Sequence, residues 1–163
     1  MARLTTCIAT AAFLLSSVAT HAGTLLQPFE PDSITHIVEK QKGKPFVMIV
    51  WSLDCEFCQA SLKTLATEKR KRSGLNIVTV STDNAGDPQS AELMQKRLAA
   101  LQMTSDAWAF GSAPSEQLRY AIDPKWHGEM PRSYWFNAKG EKIAYSGVLT
   151  SAAIERLSMQ SRK

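Results

Sequence analysis

Six consecutive apolar residues, Phe46-Val47-Met48-Ile49-Val50-Trp51, set the first limit on what this chain can become. A strand with one wet face alternates apolar and polar residues, whereas an unbroken run predicts a strand buried on both faces, as in a parallel sheet. Such a sheet needs a helix on each side. Residues 56–72 carry Leu62, Leu65 and Ala66 at helical spacing and stop at Ser73-Gly74, and residues 75–81 form the next apolar strand. The stretch 46–81 therefore predicts a strand–helix–strand unit with a right-handed crossover.

The flanks extend this pattern. Residues 23–31 read as an irregular lead-in, and Asp32 and Ser33 are capping residues for a short helix bearing Ile34, Ile37 and Val38, ended by Gly43 and Pro45. Residues 83–87 read as a loop. Asp87-Pro88 then gives a capping carboxylate followed by proline at the first helical position, and the helix is predicted to run to Leu101 with Leu93, Met94, Arg97, Leu98 and Leu101 along one side. A brief strand at 108–110 and a helical turn at 115–120 lead to Pro124. Residues 132–136 and 141–146 predict an antiparallel hairpin through Asn137-Ala138-Lys139-Gly140, with the glycine at positive φ. A last helix is predicted over 151–159, with Ala152, Ile154, Leu157 and Ser158 as its inner face. The expected class is α/β: a central mixed sheet flanked by helices, with an N-terminal extension and a helical insertion before the hairpin.

The chain begins differently from its body. Arg3, the run Ile8 to Val18 and the small-residue end Thr20-His21-Ala22 predict an export signal over 1–22, leaving one mature domain over 23–163. The run is about a dozen residues and is broken by Ser16 and Ser17, short of the roughly 20 that a spanning helix needs. No second stretch of spanning length follows, so a soluble mature protein is expected. Cys7 goes with the signal, which leaves Cys55 and Cys58 as the cysteines of an exported chain. One closely spaced pair argues against a small disulfide-stapled scaffold, which carries four or more. The net charge of +4 falls to +3 without Arg3. Its most basic run, Lys69-Arg70-Lys71-Arg72, closes a predicted helix, where cations oppose the negative end of the dipole. No nucleic-acid partner is expected.

The cysteine pair carries the chemistry. Cys55 falls at the start of the predicted helix, where unpaired backbone N–H groups favour a thiolate; cysteines in such settings have pKa values from ~3.5 to ~7.5 against ~8.5 for a free thiol. Cys55 is the predicted attacking sulfur, and Cys58, one turn on and more buried, the resolving one. Two other readings stand beside this. Half of a zinc site would need two more soft ligands, and the mature chain offers only His36 and His127, at no zinc spacing. A purely structural disulfide would close a loop too short to add much stability.

The segment Trp51-Ser52-Leu53-Asp54-Cys55-Glu56-Phe57-Cys58 resembles the thioredoxin active-site segment. Gly128-Glu129-Met130-Pro131 with Ser133-Tyr134-Trp135-Phe136-Asn137-Ala138-Lys139-Gly140 resembles the family's second signature. The resemblance covers roughly residues 45–157 and is to the TlpA/ResA branch of exported thioredoxin-like proteins. It implies a thioredoxin-like fold, with Pro131 as a cis-proline facing the cysteines and Met130 as the residue whose backbone pairs with an incoming substrate strand. It implies a thiol-disulfide oxidoreductase acting on protein disulfides, which the export signal would place in the periplasm and which is expected to be a monomer. Candidate substrates are the cysteine pair of an apocytochrome awaiting heme, as in cytochrome c maturation, a copper-site thiol pair, or a misbridged exported protein. A membrane electron donor would keep it reduced; no cofactor beyond the Cys55–Cys58 disulfide and no metal are implied.

Three positions depart from the pattern. Asp54 replaces the usual tryptophan, Phe57 the usual proline, and Ile49 stands where thioredoxin has a buried aspartate. Asp54 and Glu56 place two carboxylates beside Cys55, which disfavours a thiolate and opposes the helix terminus, so a reductase, or else an isomerase, is expected rather than a strong oxidase. Trp51 reads as a packing wall beside the pair, and His127 as a surface residue. The rival reading is a copper-binding or copper-site assembly protein of the same fold, with Met130, His127 and the cysteines as soft ligands. Relatives of that kind space their cysteines by three residues and supply a well-placed histidine.

Overall fold

The computed structural model describes residues 26–162. The predicted signal over 1–22, Cys7 and the first residues of the lead-in lie outside the described residues.

The chain runs β1 (Gln27–Phe29), α1 (Ser33–Lys40), β2 (Phe46–Trp51), α2 (Glu56–Lys71), β3 (Asn76–Asn84), α3 (Pro88–Ala100), β4 (Ala107–Phe110), α4 (Ser115–Ile122), β5 (Arg132–Phe136), β6 (Lys142–Ser146) and α5 (Ser151–Gln160). One six-stranded sheet takes the order β1-β4-β3-β2-β5-β6. The first four are parallel, β5 runs antiparallel to β2, and β6 antiparallel to β5. β2 sits inside the sheet with all six residues buried, as its unbroken apolar run requires.

Strand alternation divides the core into two layers. Val47, Ile49 and Trp51 face Leu62 and Leu65 of α2, Met94 and Leu98 of α3, and Ile154 and Leu157 of α5. Phe46, Met48 and Val50 face Ile37 of α1, Leu118 and Ile122 of α4, and Trp126. Each fully buried Leu, Ile or Met contributes about 1.5–3 kcal/mol relative to exposure, so both layers hold the sheet. Asp87 caps α3 by accepting from the Ser90 amide at 2.9 Å, and Gly140 closes the β5–β6 turn at φ 82°. Among the described residues no helix is long and apolar enough to cross a membrane.

Local differences have physical causes. The lead-in contains β1, a three-residue edge strand paired in parallel with β4. Pro28 hides it from periodicity, yet an edge is where a strand tolerates proline. Asp32 precedes α1 without a side-chain cap bond; its carboxylate meets His36 at 3.3 Å, and Ser33 Oγ accepts from the Glu30 amide at 2.8 Å instead. Leu93 is 47% exposed, so α3 buries only Met94 and Leu98. In α5 Ala153, not Ala152, turns inward. Part of the basic run is anchored: Lys71 and Arg72 pair with Glu68, which is buried and also accepts from Ser151 of α5. The Lys71 and Ser151 hydrogen bonds hold the Glu68 carboxyl below the ordinary glutamate value.

Candidate active site

β2 delivers the chain at Trp51 to a three-residue turn, Ser52-Leu53-Asp54, and α2 begins immediately after it. Cys55 is the N-cap, in the extended conformation that position takes (φ −87°, ψ 98°), and its Sγ accepts from the Cys58 amide at 3.1 Å. Cys55 and Cys58 form a disulfide, with Cα atoms 5.2 Å apart. Their environments differ. Cys58 is fully buried among Ile49, Trp51 and Leu62, whereas Cys55 is half-exposed. An incoming sulfur can therefore reach Cys55 and not Cys58.

Trp51 is fully buried in the same layer as Cys58, and its indole Nε1 has no protein partner. Ile49 adds hydrocarbon beside Cys58. Asp54 and Glu56 are both exposed on either side of Cys55, and Phe57 is 64% exposed between the cysteines.

The Met130–Pro131 peptide is cis. Pro131 is buried, and Met130 is half-buried and packs against both core layers. The segment after β6 is tied to this turn, because the Gly147 amide donates to the Pro131 carbonyl at 3.0 Å. It is also tied to the cysteine helix: Ser61 Oγ accepts from the Leu149 amide and donates to the Phe57 carbonyl, both at 3.0 Å.

Arg132, the residue after Pro131, fixes the approach to the turn. Its guanidinium donates to Asp123 (3.0 Å), Glu129 (2.9 Å), Ser146 (2.6 Å) and the Tyr134 hydroxyl (3.2 Å). Burial opposes ionisation of Asp123, but the Lys125 amide, Arg132 and nearby Lys142 outweigh it and hold the carboxyl below its ordinary 3.8. Burial likewise opposes ionisation of Glu129, and hydrogen bonds from its own amide and Ser146, with the Arg132 charge, bring it below 4.5. Burial first, and then the Asp123 charge, push the Tyr134 hydroxyl up despite Arg132.

His127 is exposed, and its amide donates to Glu129 Oε2; His36 is engaged with Asp32 on α1. Among the described residues no group of three or more His, Cys, Asp or Glu side chains is placed to hold a metal. Sequence reasoning missed Asp83, Arg97 and Ser61 as neighbours of the site. Asp83 lies in a loop by sequence pattern, because the apolar run ends at Val80, whereas β3 continues to Asn84. Ser61 carries no signal beyond being a small polar residue on the inner face of a helix.

A mixed sheet with helices on both faces, a cysteine pair opening the helix after a central strand, and a cis-proline before the next hairpin together define the thioredoxin-like fold. Solved structures agree at the level of fold. The chain is similar to a secreted Mycobacterium tuberculosis disulfide oxidoreductase homologous to E. coli DsbE (15% identity, TM-score 0.56, covering 75% of this chain and 85% of that one). It is similar also to a thioredoxin-family thiol:disulfide interchange protein from Chlorobium tepidum (13%, 0.57, 76% and 83%), and to StoA from Bacillus subtilis (17%, 0.51, 72% and 84%). No family model and no curated protein matches the sequence.

Proposed function

We propose that this protein is an exported thiol-disulfide oxidoreductase that reduces disulfides in other proteins. The observation that carries the reading is the asymmetric Cys55–Cys58 disulfide: an accessible sulfur at a helix N-terminus, backed by a fully buried partner one turn later. In the reduced enzyme the Cys55 thiolate attacks a target disulfide and forms a mixed disulfide, and one target sulfur leaves as a thiolate that takes up a proton. The Cys58 sulfur then attacks Cys55 Sγ, closing the intramolecular disulfide and releasing the second target thiol. Two electrons pass from the enzyme dithiol to the target. Met130 and Pro131 offer the backbone edge on which a target segment lies across Cys55, with Trp51 as the wall behind the pair.

Export under a cleaved signal over 1–22 puts the mature domain, residues 23–163, in a periplasm, working as a monomer. A reductase there must be recharged by a membrane electron donor, because the compartment is oxidising. Apocytochrome cysteines, as in cytochrome c maturation, are among the targets this chemistry suits; no metal or cofactor beyond the disulfide is required. The test is insulin reduction by the purified mature protein in the presence of dithiothreitol. Wild type is expected to accelerate precipitation of the insulin B chain and Cys55→Ser to abolish the acceleration; full activity in Cys55→Ser would overturn the mechanism.

A further inference from the structure

The turn that presents Cys55 is gripped from outside at one residue. The Leu53 amide donates to Asp83 Oδ2 at 2.8 Å, and the Leu53 carbonyl accepts from Arg97 Nη1 at 2.9 Å. Asp83 lies at the end of β3 and Arg97 on α3, so two elements that contribute no sulfur chemistry hold both polar groups of one loop residue. The carboxylate is itself aimed: Ser81 Oγ donates to Asp83 Oδ2 at 2.6 Å and accepts from the Asp83 amide at 3.2 Å. The preceding carbonyl, of Ser52, accepts from Gln59 Nε2 at 3.1 Å and from the Cys55 amide at 3.4 Å. Both bonds to Leu53 are charge-assisted, the stronger kind.

We infer that Asp83 and Arg97 are positioning residues that clamp Leu53 and thereby keep Cys55 Sγ on the α2 N-terminus; the inference rests on the proposed exchange chemistry for its purpose, not for its test. The physical link is short. Cys55 Sγ is served by the Cys58 amide only while Cys55 keeps its N-cap conformation, and that conformation is set by a turn with no regular structure of its own. Loosening the turn withdraws the N–H from the sulfur part of the time, and the thiolate loses that stabilisation.

Charge and clamping predict different signs, which separates them. Acting only through charge, loss of the Asp83 carboxylate would favour the Cys55 thiolate and loss of the Arg97 guanidinium would disfavour it. Acting as a clamp, both losses disfavour it. The experiment is the pH dependence of iodoacetamide alkylation of Cys55 in the reduced protein. In D83A and R97Q alike the midpoint is expected to rise by about 0.5–1 unit, three- to tenfold less thiolate at a given pH. D83N, whose amide oxygen still accepts from Leu53, is expected not to raise it. The double variant D83A/R97Q should move no further than the larger single, since both side chains hold the same residue. Midpoints moving in opposite directions, or an unchanged titration with only a lower melting temperature, would overturn the clamp. Should D83A fail to fold, R97Q on the partly exposed side of α3, titrated in about 1 M salt against wild type in the same salt, decides: screening removes a charge effect and leaves a clamp effect, so a midpoint that still rises supports the clamp and an unchanged one overturns it. Because the reagent is a small alkylator, a wild type inactive on insulin would refute the proposed function and leave this readout intact.

Discussion

Replacing Ser61 by alanine removes one hydroxyl from a position with no exposed surface and leaves the Cβ in place. Two hydrogen bonds go with it, and they are not equal. The Phe57 carbonyl keeps its place in the α2 hydrogen-bond ladder, so losing the Ser61 donor costs it little. The Leu149 amide lies on a residue 1% exposed and loses its partner in a dry setting. An orphaned buried donor costs about 1–3 kcal/mol. At roughly 4 °C per kcal/mol for a domain of this size, the melting temperature should fall by about 4–12 °C. Urea unfolding followed by far-ultraviolet circular dichroism measures the loss. It should be alike in the disulfide and dithiol forms, since neither bond involves sulfur. A loss below about 0.5 kcal/mol, the range of ordinary surface substitutions, would refute the reasoning.

The wild-type reduction potential is expected nearer ~−270 mV than the ~−120 mV of a strong periplasmic oxidase, with Asp54→Asn and Glu56→Gln each lowering the Cys55 alkylation midpoint and making the pair more oxidising. Glutathione equilibration checks the potential, and a wild-type value near the strong oxidase, or unmoved midpoints, refutes the charge argument. Asp123 and Glu129 sit below their ordinary values, so the unfolded chain binds more protons and stability falls as the solution is acidified through and below the ordinary carboxylate range, about pH 5 to 3. Asp123→Asn should flatten that part of a urea-midpoint profile, and an unchanged slope would count against the pairing with Arg132. The reduced protein is expected to bind Cu(I) weakly and without need of His127; tight stoichiometric binding abolished by His127→Ala would favour copper handling instead.

What was legible in the sequence is what local rules decide. The apolar run of β2, the cap at Asp87 and the hairpin glycine each act within a few residues, and their elements appear as read. The cysteine pair was legible from its spacing and its place at a helix start, and the cis-proline through motif resemblance. What escaped detection depends on partners far along the chain. β1 exists because β4 accepts it, not because Gln27-Pro28-Phe29 favours a strand. Ser61 meets Leu149 across 88 residues, Arg97 meets Leu53 across 44 and Asp83 meets Leu53 across 30. No periodicity records such pairings, since a polar residue waiting for a distant backbone group looks like any other polar residue. The reading of Leu93 as an inner residue failed for a related reason: the helix period fixes which residues share a side, while the neighbouring elements decide how much of that side is covered.

The register of β2 carries one more consequence. Its last two residues stand opposite the groups that manage the site from either flank: Trp51 pairs with Ser81, which aims Asp83, and Val50 pairs with Arg132, which follows the cis-proline. Side chains alternate along a strand, so a single inserted or deleted residue between Phe46 and Cys55 would swap the two core layers or shift the sulfur against both anchors. For folding, the segment thus tolerates substitution at its exposed positions, Asp54, Glu56 and Phe57, but not a change in length. The turn at Asn137 to Gly140, at the opposite end of the sheet, can absorb insertions and deletions that this stretch cannot.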